Sequence, residues 1–143
     1  MIQSRRESSG VILLVEDDSN QVIFLRRALD KLKVTNPVQV ATTGDQAIVL
    51  LSDRSSPPPS LVLLDLRVPR VSGLRILDWM RKQPELRDTP VVIVTSSIEP
   101  EDRRLADQLG AIAYLCKPVS AEGVQELMDM VPWLQWARQG PSP

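Results

Sequence analysis

The stretch VILLVEDDSNQ, Val11–Gln21, joins five branched apolar residues directly to three consecutive acids. A short apolar run of this kind predicts a buried strand. The like charges of Glu16, Asp17 and Asp18 repel one another, so their place directly after a buried strand needs a reason. A strand that ends in such a cluster indicates either a polar cap where the chain surfaces or a site that holds a positive ion.

Four further runs along the chain resemble the first. They are rich in Val, Ile and Leu and mostly apolar on both faces, which is typical of parallel strands that helices cover on both sides. The five predicted strands are Val11–Val15, Val38–Ala41, Leu61–Leu66, Val91–Thr95 and Ala111–Cys116. Apolar residues at helical spacing follow each strand and predict five helices. The alternation, with right-handed crossovers, predicts an α/β fold built on one doubly wound, five-stranded parallel sheet.

The chain length suits one domain. Its 143 residues, of which 43% are hydrophobic, can bury a single core, and we place this domain at residues 11–131. Residues 1–10 are polar and predict a disordered lead-in. Residues 132–143 form an extension in which Trp133 and Trp136 stand at helical spacing. Because tryptophan is enriched at interfaces, we expect these two residues either to pack on the domain's own core or to contact a second copy or a partner.

Composition excludes several classes of function. The formal net charge is −1 and the basic residues are scattered, so we expect neither a nucleic-acid nor a membrane surface. The single cysteine, Cys116, cannot form an internal disulfide, and no apolar run has the length of a signal core or membrane span, which favours a cytoplasmic location. We expect Cys116 to be buried and unreactive. The absence of histidine excludes Ser-His and Cys-His nucleophilic pairs.

The polar residues that could carry chemistry all lie at the carboxyl ends of predicted strands. They are Glu16 and Asp17 after the first strand, Asp65 in the third, Thr95 and Ser97 at the fourth, and Lys117 after the fifth. Because ligands of such sheets bind outside the carboxyl ends of the strands, these side chains are predicted to share one edge. Carboxylates crowded at that edge require a cation. Oxygen ligands with open positions indicate Mg²⁺, with Mn²⁺ as a substitute.

Four motifs in this order carry a family resemblance. They are LLVEDD, LVLLDLRVPRVSG, VVIVTSS and AYLCKP, each at the end of its own strand. Together, over about Val11–Val131, they resemble the receiver domain of two-component response regulators, whose fold is flavodoxin-like. The VEDD start is similar to that of single-domain regulators of the phytochrome-associated class.

The resemblance implies that Asp65 accepts a phosphoryl group from a phosphohistidine of a sensor histidine kinase or phosphotransfer protein. It implies metal binding by Asp65, by Asp17, by Glu16 through water, and by the backbone carbonyl of Arg67. Asp18 is then left as an acid at the start of the first helix, where the helix dipole favours it.

The resemblance also assigns the groups around the phosphoryl site. Lys117 and Thr95 would bind phosphoryl oxygens, and Tyr114 would turn inward as Thr95 closes on them. The peptide bond from Lys117 to the following proline is cis in the family. Arg67 and Ser97 stand two positions after Asp65 and Thr95, where we expect them to tune the lifetime of the phosphorylated state.

These assignments predict a switch rather than an enzyme, with self-phosphorylation and autodephosphorylation as its only chemistry. Because only a short tail follows the domain in this sequence, we expect no attached output domain and a signal that leaves through contacts with a downstream target or a homodimer partner. Two alternatives are a phosphatase of the haloacid dehalogenase type and a receiver-like interaction module that is not phosphorylated. The phosphatases carry a second acid two positions after the nucleophile, where this chain has Arg67.

Overall fold

A computed structural model describes residues 10–131, which form one five-stranded parallel sheet between two layers of helices. Strands and helices alternate along the chain. The elements are β1 Ile12–Val15, α1 Ser19–Lys31, β2 Val38–Ala41, α2 Gly44–Leu51, β3 Leu61–Leu64, α3 Gly73–Arg81, β4 Val91–Thr95, α4 Pro100–Gln108, β5 Ala113–Cys116 and α5 Ala121–Met130. The predicted fold class and the five predicted strands are confirmed. Residues 1–9, Trp133 and Trp136 lie outside the described residues, so the assignments made for them stay predictions.

The strand order is β2-β1-β3-β4-β5, which makes β1 and β3 neighbours at the point where the winding of the sheet reverses. Side chains along each strand point alternately to the two faces. In β1, Leu13 and Val15 join a core with α2, α3 and α4, whereas Ile12 and Leu14 join a core with α1 and α5. The central strands are therefore apolar on both faces, as their sequences predict.

Hydrogen bonds between neighbouring strands continue past the strand ends and place the first residues of the loops. The N–H of Asp65 donates to the carbonyl of Val15, 3.1 Å away, and the N–H of Lys117 donates to the carbonyl of Thr95, 2.8 Å away. The residues that follow β1, β3 and β5 are therefore set in register with their neighbours. The sheet brings their side chains to one edge, as expected from the strand order.

Helix α1 begins directly after the three consecutive acids Glu16, Asp17 and Asp18. The side chain of Asp18 caps the helix by accepting a hydrogen bond of 2.9 Å from the N–H of Asn20, and Ser19 is the first helical residue. Asp18 is thus an acid at the start of the helix, as expected. An aspartate at this position satisfies one of the free N–H groups of the first turn.

Two glycines allow segments at this edge to pack closely. A methyl group on Gly73, the first residue of α3, would overlap the backbone of Asp65 and of Leu66. One on Gly44, the first residue of α2, would overlap the backbone of Val71. Only glycine lets the two helices approach the loop after β3 this closely, so these residues help to hold Asp65 in place.

Candidate functional site

Three carboxylates converge at the ends of β1 and β3. One oxygen each of Glu16, Asp17 and Asp65 can be chosen so that all three lie within 4.8 Å of one another. Glu16 and Asp65 are buried, with 1% and 5% of their surface exposed, whereas Asp17 is exposed. The structure thus brings together the three acids that the sequence analysis assigned to a metal site. Asp18, the last of the three consecutive acids, instead caps α1.

Lys117 lies between the two buried carboxylates. Its Nζ is 2.5 Å from Oε1 of Glu16 and 2.7 Å from Oδ2 of Asp65. The lysine side chain is 12% exposed, and the peptide bond that follows it, to Pro118, is cis. Since the strand ladder fixes the backbone of this residue, the ammonium group is held against both acids.

Burial and hydrogen bonding have opposite effects on these ionisable groups. Burial raises the pKa of Glu16 above its usual value, even though Lys117 and the N–H of Asp18 donate to this carboxylate. Burial acts in the same sense on Asp65, but hydrogen bonds from Lys117 and from the N–H of Arg67 hold the pKa of Asp65 below its usual value. Burial disfavours the charged form of Lys117, while the bonds to Asp65 and Glu16 raise its pKa overall. At neutral pH, Asp65 is therefore an anion paired with a lysine cation.

Residues at the end of β4 add hydroxyl groups to the site. Thr95 is fully buried, and its hydroxyl oxygen accepts a hydrogen bond of 3.3 Å from the N–H of Ser97. The hydroxyl of Tyr114, from β5, donates to the carbonyl of Ser97 at 3.1 Å. The guanidinium of Arg103 lies 5.4 Å from the centre of the tyrosine ring. The backbone of Ser97 thus connects the two predicted switch residues, Thr95 and Tyr114.

Sequence reasoning missed the partner of Arg67. The guanidinium Nη2 of Arg67 lies 3.0 Å from Oδ2 of Asp102, in the first turn of α4, and 3.4 Å from the hydroxyl of Ser97. In the sequence, nothing distinguishes Asp102 from the neighbouring acid Glu101 at the start of α4. Its contact with a residue 35 positions away depends on how the loops after β3 and β4 come together.

The environment of Cys116 also differs from the expectation. This residue is exposed, and the prediction that it is buried is wrong. It ends β5, which is an edge strand and therefore has a neighbour on one side only. An apolar strand at a sheet edge is covered less completely than the central strands, and the sequence pattern of the strand alone does not reveal which position it takes.

The donor set fits a hard divalent cation. The acids at this edge offer only oxygen ligands, and exposed Asp17 leaves room for water, as Mg²⁺ requires. Lys117 is one positive charge beside three acids, so the site can accept further positive charge. Within residues 10–131, Glu16, Asp17 and Asp65 are the group of acids that lie close enough together to hold a metal ion.

Comparisons with known proteins agree with the geometry. The family described as the response regulator receiver domain matches residues 12–131. "Probable methanogenesis regulatory protein FilR2" of Methanothrix harundinacea is 34% identical over 144 residues, covering 95% of this chain and 92% of FilR2. Response regulator Rcp1 of Synechocystis sp. is 30% identical over 125 residues, covering 85% of this chain and 83% of Rcp1.

Solved structures give the same result. The bacteriophytochrome response regulator RtBRR is 34% identical, with a TM-score of 0.79, and the match covers 93% of this chain and 84% of RtBRR. The Mn(2+)-bound form of Rcp1 is 28% identical, with a TM-score of 0.73, and the match covers 93% of this chain and 98% of the other. No helix within the described part of the chain is both long enough and apolar enough to span a bilayer.

Proposed function

The chain belongs to the response regulator receiver domain family, and we propose that it is a signalling switch that accepts a phosphoryl group on Asp65. The observation that carries this proposal is the buried, ionised Asp65 carboxylate, which pairs with Lys117 beside two further acids. A carboxylate held as an anion is a competent phosphoryl acceptor when nearby groups neutralise the transferred charge. Receiver domains act as phospho-acceptors and exchange signals with histidine kinases or phosphotransfer proteins.

In the proposed reaction an oxygen of Asp65 attacks the phosphorus of a phosphohistidine on the donor protein. The new P–O bond forms as the P–N bond breaks, and the electron pair of that bond returns to the imidazole of the donor. Lys117 would turn from Asp65 to a phosphoryl oxygen, and the Thr95 hydroxyl would donate to another. The ammonium group needs little movement for this, because it already lies 2.7 Å from the acceptor carboxylate.

A divalent cation completes this proposal. Asp65, Asp17, Glu16 and the backbone carbonyl of Arg67 would hold Mg²⁺ or Mn²⁺, with Glu16 acting through water. When bound, the ion supplies positive charge that offsets the charge of the phosphoryl oxygens. The Mn(2+)-bound form of Rcp1 and the convergence of three carboxylates support this assignment.

Mass spectrometry tests the switch directly. After incubation with Mg²⁺ and acetyl phosphate, we expect one phosphoryl adduct on the intact wild-type chain and none on Asp65→Asn. Asp18→Asn is the matched control, because it removes a neighbouring acid while asparagine remains a good helix cap, and this variant should still be phosphorylated. A wild-type chain without an adduct would instead support an interaction module that is not phosphorylated, and rapid turnover of many phosphate esters would support a phosphatase.

The remaining roles concern the lifetime and the output of the signal. We infer that Arg67 and Ser97 flank the path of the water that attacks the aspartyl phosphate, because they follow Asp65 and Thr95 by two positions and contact each other. Tyr114 would move inward with Thr95 on phosphorylation. We place the output on the face formed by α4, β5 and α5, where a cytoplasmic target or a second copy would bind.

A further inference from the structure

The side chain and the main chain of Arg67 contact different groups. The backbone N–H donates to Oδ1 of Asp65 at 3.0 Å, whereas the guanidinium lies 3.0 Å from the carboxylate of Asp102 in α4. The residue next to the proposed phosphorylation site therefore directs its positive charge to the start of a helix.

Ser97 fixes the position of the Asp102 carboxylate. The Ser97 hydroxyl donates to Oδ2 of Asp102 at 2.5 Å and accepts from the N–H of Glu99 at 3.3 Å and from Arg67 at 3.4 Å. These three bonds use the single donor and both acceptor sites of a hydroxyl group. Ser97 is buried, so this serine is a rigid support for the aspartate.

The two members of the ion pair differ in their exposure. The side chain of Asp102 is 20% exposed and that of Arg67 is 60% exposed. A solvent-exposed ion pair contributes little to stability. Asp102 is therefore the fixed partner, and Arg67 is the partner that a stronger anion nearby could attract.

We propose that Asp102 is a positioning residue that holds the guanidinium of Arg67 away from Asp65 and thereby shortens the lifetime of the aspartyl phosphate. This inference rests on the proposed function of Asp65. Arginine binds phosphoryl groups through two parallel hydrogen bonds, and a guanidinium paired in this way would cover phosphoryl oxygens and obstruct an attacking water. While Asp102 holds Arg67, that pairing has a competitor, and water reaches the phosphorus more easily.

A double-mutant cycle on the rate of autodephosphorylation tests this inference. Wild type, Asp102→Ala, Arg67→Ala and the double variant are loaded with acetyl phosphate and Mg²⁺, and the loss of the adduct is followed by intact mass. We expect Asp102→Ala to slow the loss by about threefold or more, the size of effect typical of coupled neighbours. In the Arg67→Ala background the same change should leave the rate unaltered, because no guanidinium remains to be released.

Three further variants separate positioning from structural damage. Asp102→Glu keeps the charge and should return the rate toward wild type. Asp102→Asn keeps the shape and removes the charge, so it should slow the loss in the same direction as alanine, and it replaces the alanine variant if that variant does not fold. Asp107→Asn removes an exposed acid near the far end of α4 and should leave the rate unchanged.

The possible results separate this inference from the proposed function. An adduct whose lifetime is unchanged or shortened by Asp102→Ala overturns the inference, and so does an equal effect in both Arg67 backgrounds. Each of these results leaves the phosphorylation of Asp65 intact. If the wild-type chain forms no adduct, the proposed function and the inference are both wrong.

Discussion

At the scale of single residues, Lys117 determines whether two buried carboxylates can be tolerated. Glu16 and Asp65 are separated from solvent, and an unpaired charge in such a place is strongly unfavourable. The ammonium group bonds to both acids, so one cation stabilises two anions. The same contact keeps Asp65 ionised and therefore available as the proposed phosphoryl acceptor.

Lys117→Met should destabilise the metal-free protein. Removing one member of a buried ion pair leaves the other charges uncompensated, and we expect the free energy of unfolding to fall by about 3 kcal/mol. Mg²⁺ should restore more stability to this variant than it adds to wild type, since the ion replaces the lost positive charge. Urea unfolding with and without Mg²⁺ measures both effects.

Lys82→Met is the control for this experiment. Lys82 pairs with Asp78 one turn away on the surface of α3, where its side chain is 71% exposed. A solvated pair contributes little, so this variant should unfold within about 0.5 kcal/mol of wild type. Equal stability of the two lysine variants without metal would contradict the role given to Lys117.

The ionisation of Tyr114 can be measured without mutation, because it is the only tyrosine in the chain. Burial, together with the nearby carboxylate of Asp102, raises its pKa above the usual value of 10.0. The folded state thus holds this proton more tightly than the unfolded state. The stability that the phenol contributes is complete below about pH 10 and is lost as the pH rises through the folded pKa.

Near-ultraviolet absorbance of the phenolate gives the measurement. The titration midpoint should lie above 10 in the folded protein and return to about 10 in denaturant. A folded midpoint at or below the denatured value would show that the phenol is solvated, and would contradict its partial burial near Asp102.

At the scale of elements, the loop after β3 is held by the helix that follows it. Gly73 begins α3, donates its N–H to the carbonyl of Leu66, and lies against the backbone of Asp65. Hydrogen bonds also hold the opposite end of the same helix, where Arg81 donates to the carbonyls of Leu109 at 2.7 Å and Thr89 at 2.9 Å. Both ends of α3 are thus fixed to loops that the sheet positions.

Gly73→Ala should therefore disturb the site. The added methyl group meets backbone atoms, which cannot move aside as a flexible side chain can, so we expect a loss of about 1–3 kcal/mol in unfolding free energy and slower phosphorylation of Asp65. The measurements are denaturant unfolding and the rate of adduct formation with acetyl phosphate.

Gly123→Ala in α5 is the matched control. A methyl group there would approach only side-chain atoms, of Val119 at 3.3 Å and Ser120 at 3.4 Å. Alanine also favours a helix, so the stability should change by less than about 1 kcal/mol and phosphorylation should be normal. If both alanine variants behaved alike, the close packing of Gly73 would not be what places Asp65.

At the scale of the whole molecule, the central strands of the sheet are buried more completely than the edge strands. The central strands β1, β3 and β4 are buried along their full length, whereas β2 and β5 are edge strands with partly exposed residues. Edge strands open locally more easily than strands with two neighbours. The site thus combines acids on central strands with a lysine and a tyrosine from the region of an edge strand.

Amide hydrogen exchange should follow this division. The amides of β1, β3 and β4 are expected to exchange slowest, at rates set by global unfolding, and those of β2 and β5 faster, through local opening. Exchange resolved to peptides by mass spectrometry provides the test. Equal protection of β5 and β4 would contradict the assignment of β5 as the more easily opened strand.

The class of fold, and the edge of the sheet at which the candidate site residues meet, follow from the amino-acid sequence alone. Runs such as Leu61–Leu64 have the composition of buried parallel strands, and each is followed by a helical pattern. Because the carboxyl ends of parallel strands share one edge, the strand-end positions of Asp65 and Lys117 already predicted that they meet. Local chemistry and periodicity carry this information, since both are properties of neighbouring residues.

The long-range partners of these residues become visible only in the folded chain. The exposure of Cys116 depends on which strand lies at the edge of the sheet, and the contact of Arg67 with Asp102 depends on the relative placement of two loops. The close approach of Gly73 to Asp65 depends on the packing of α3. Strand order, loop paths and helix packing arise from the sum of many weak contacts across the whole chain, and no short segment of sequence records that sum.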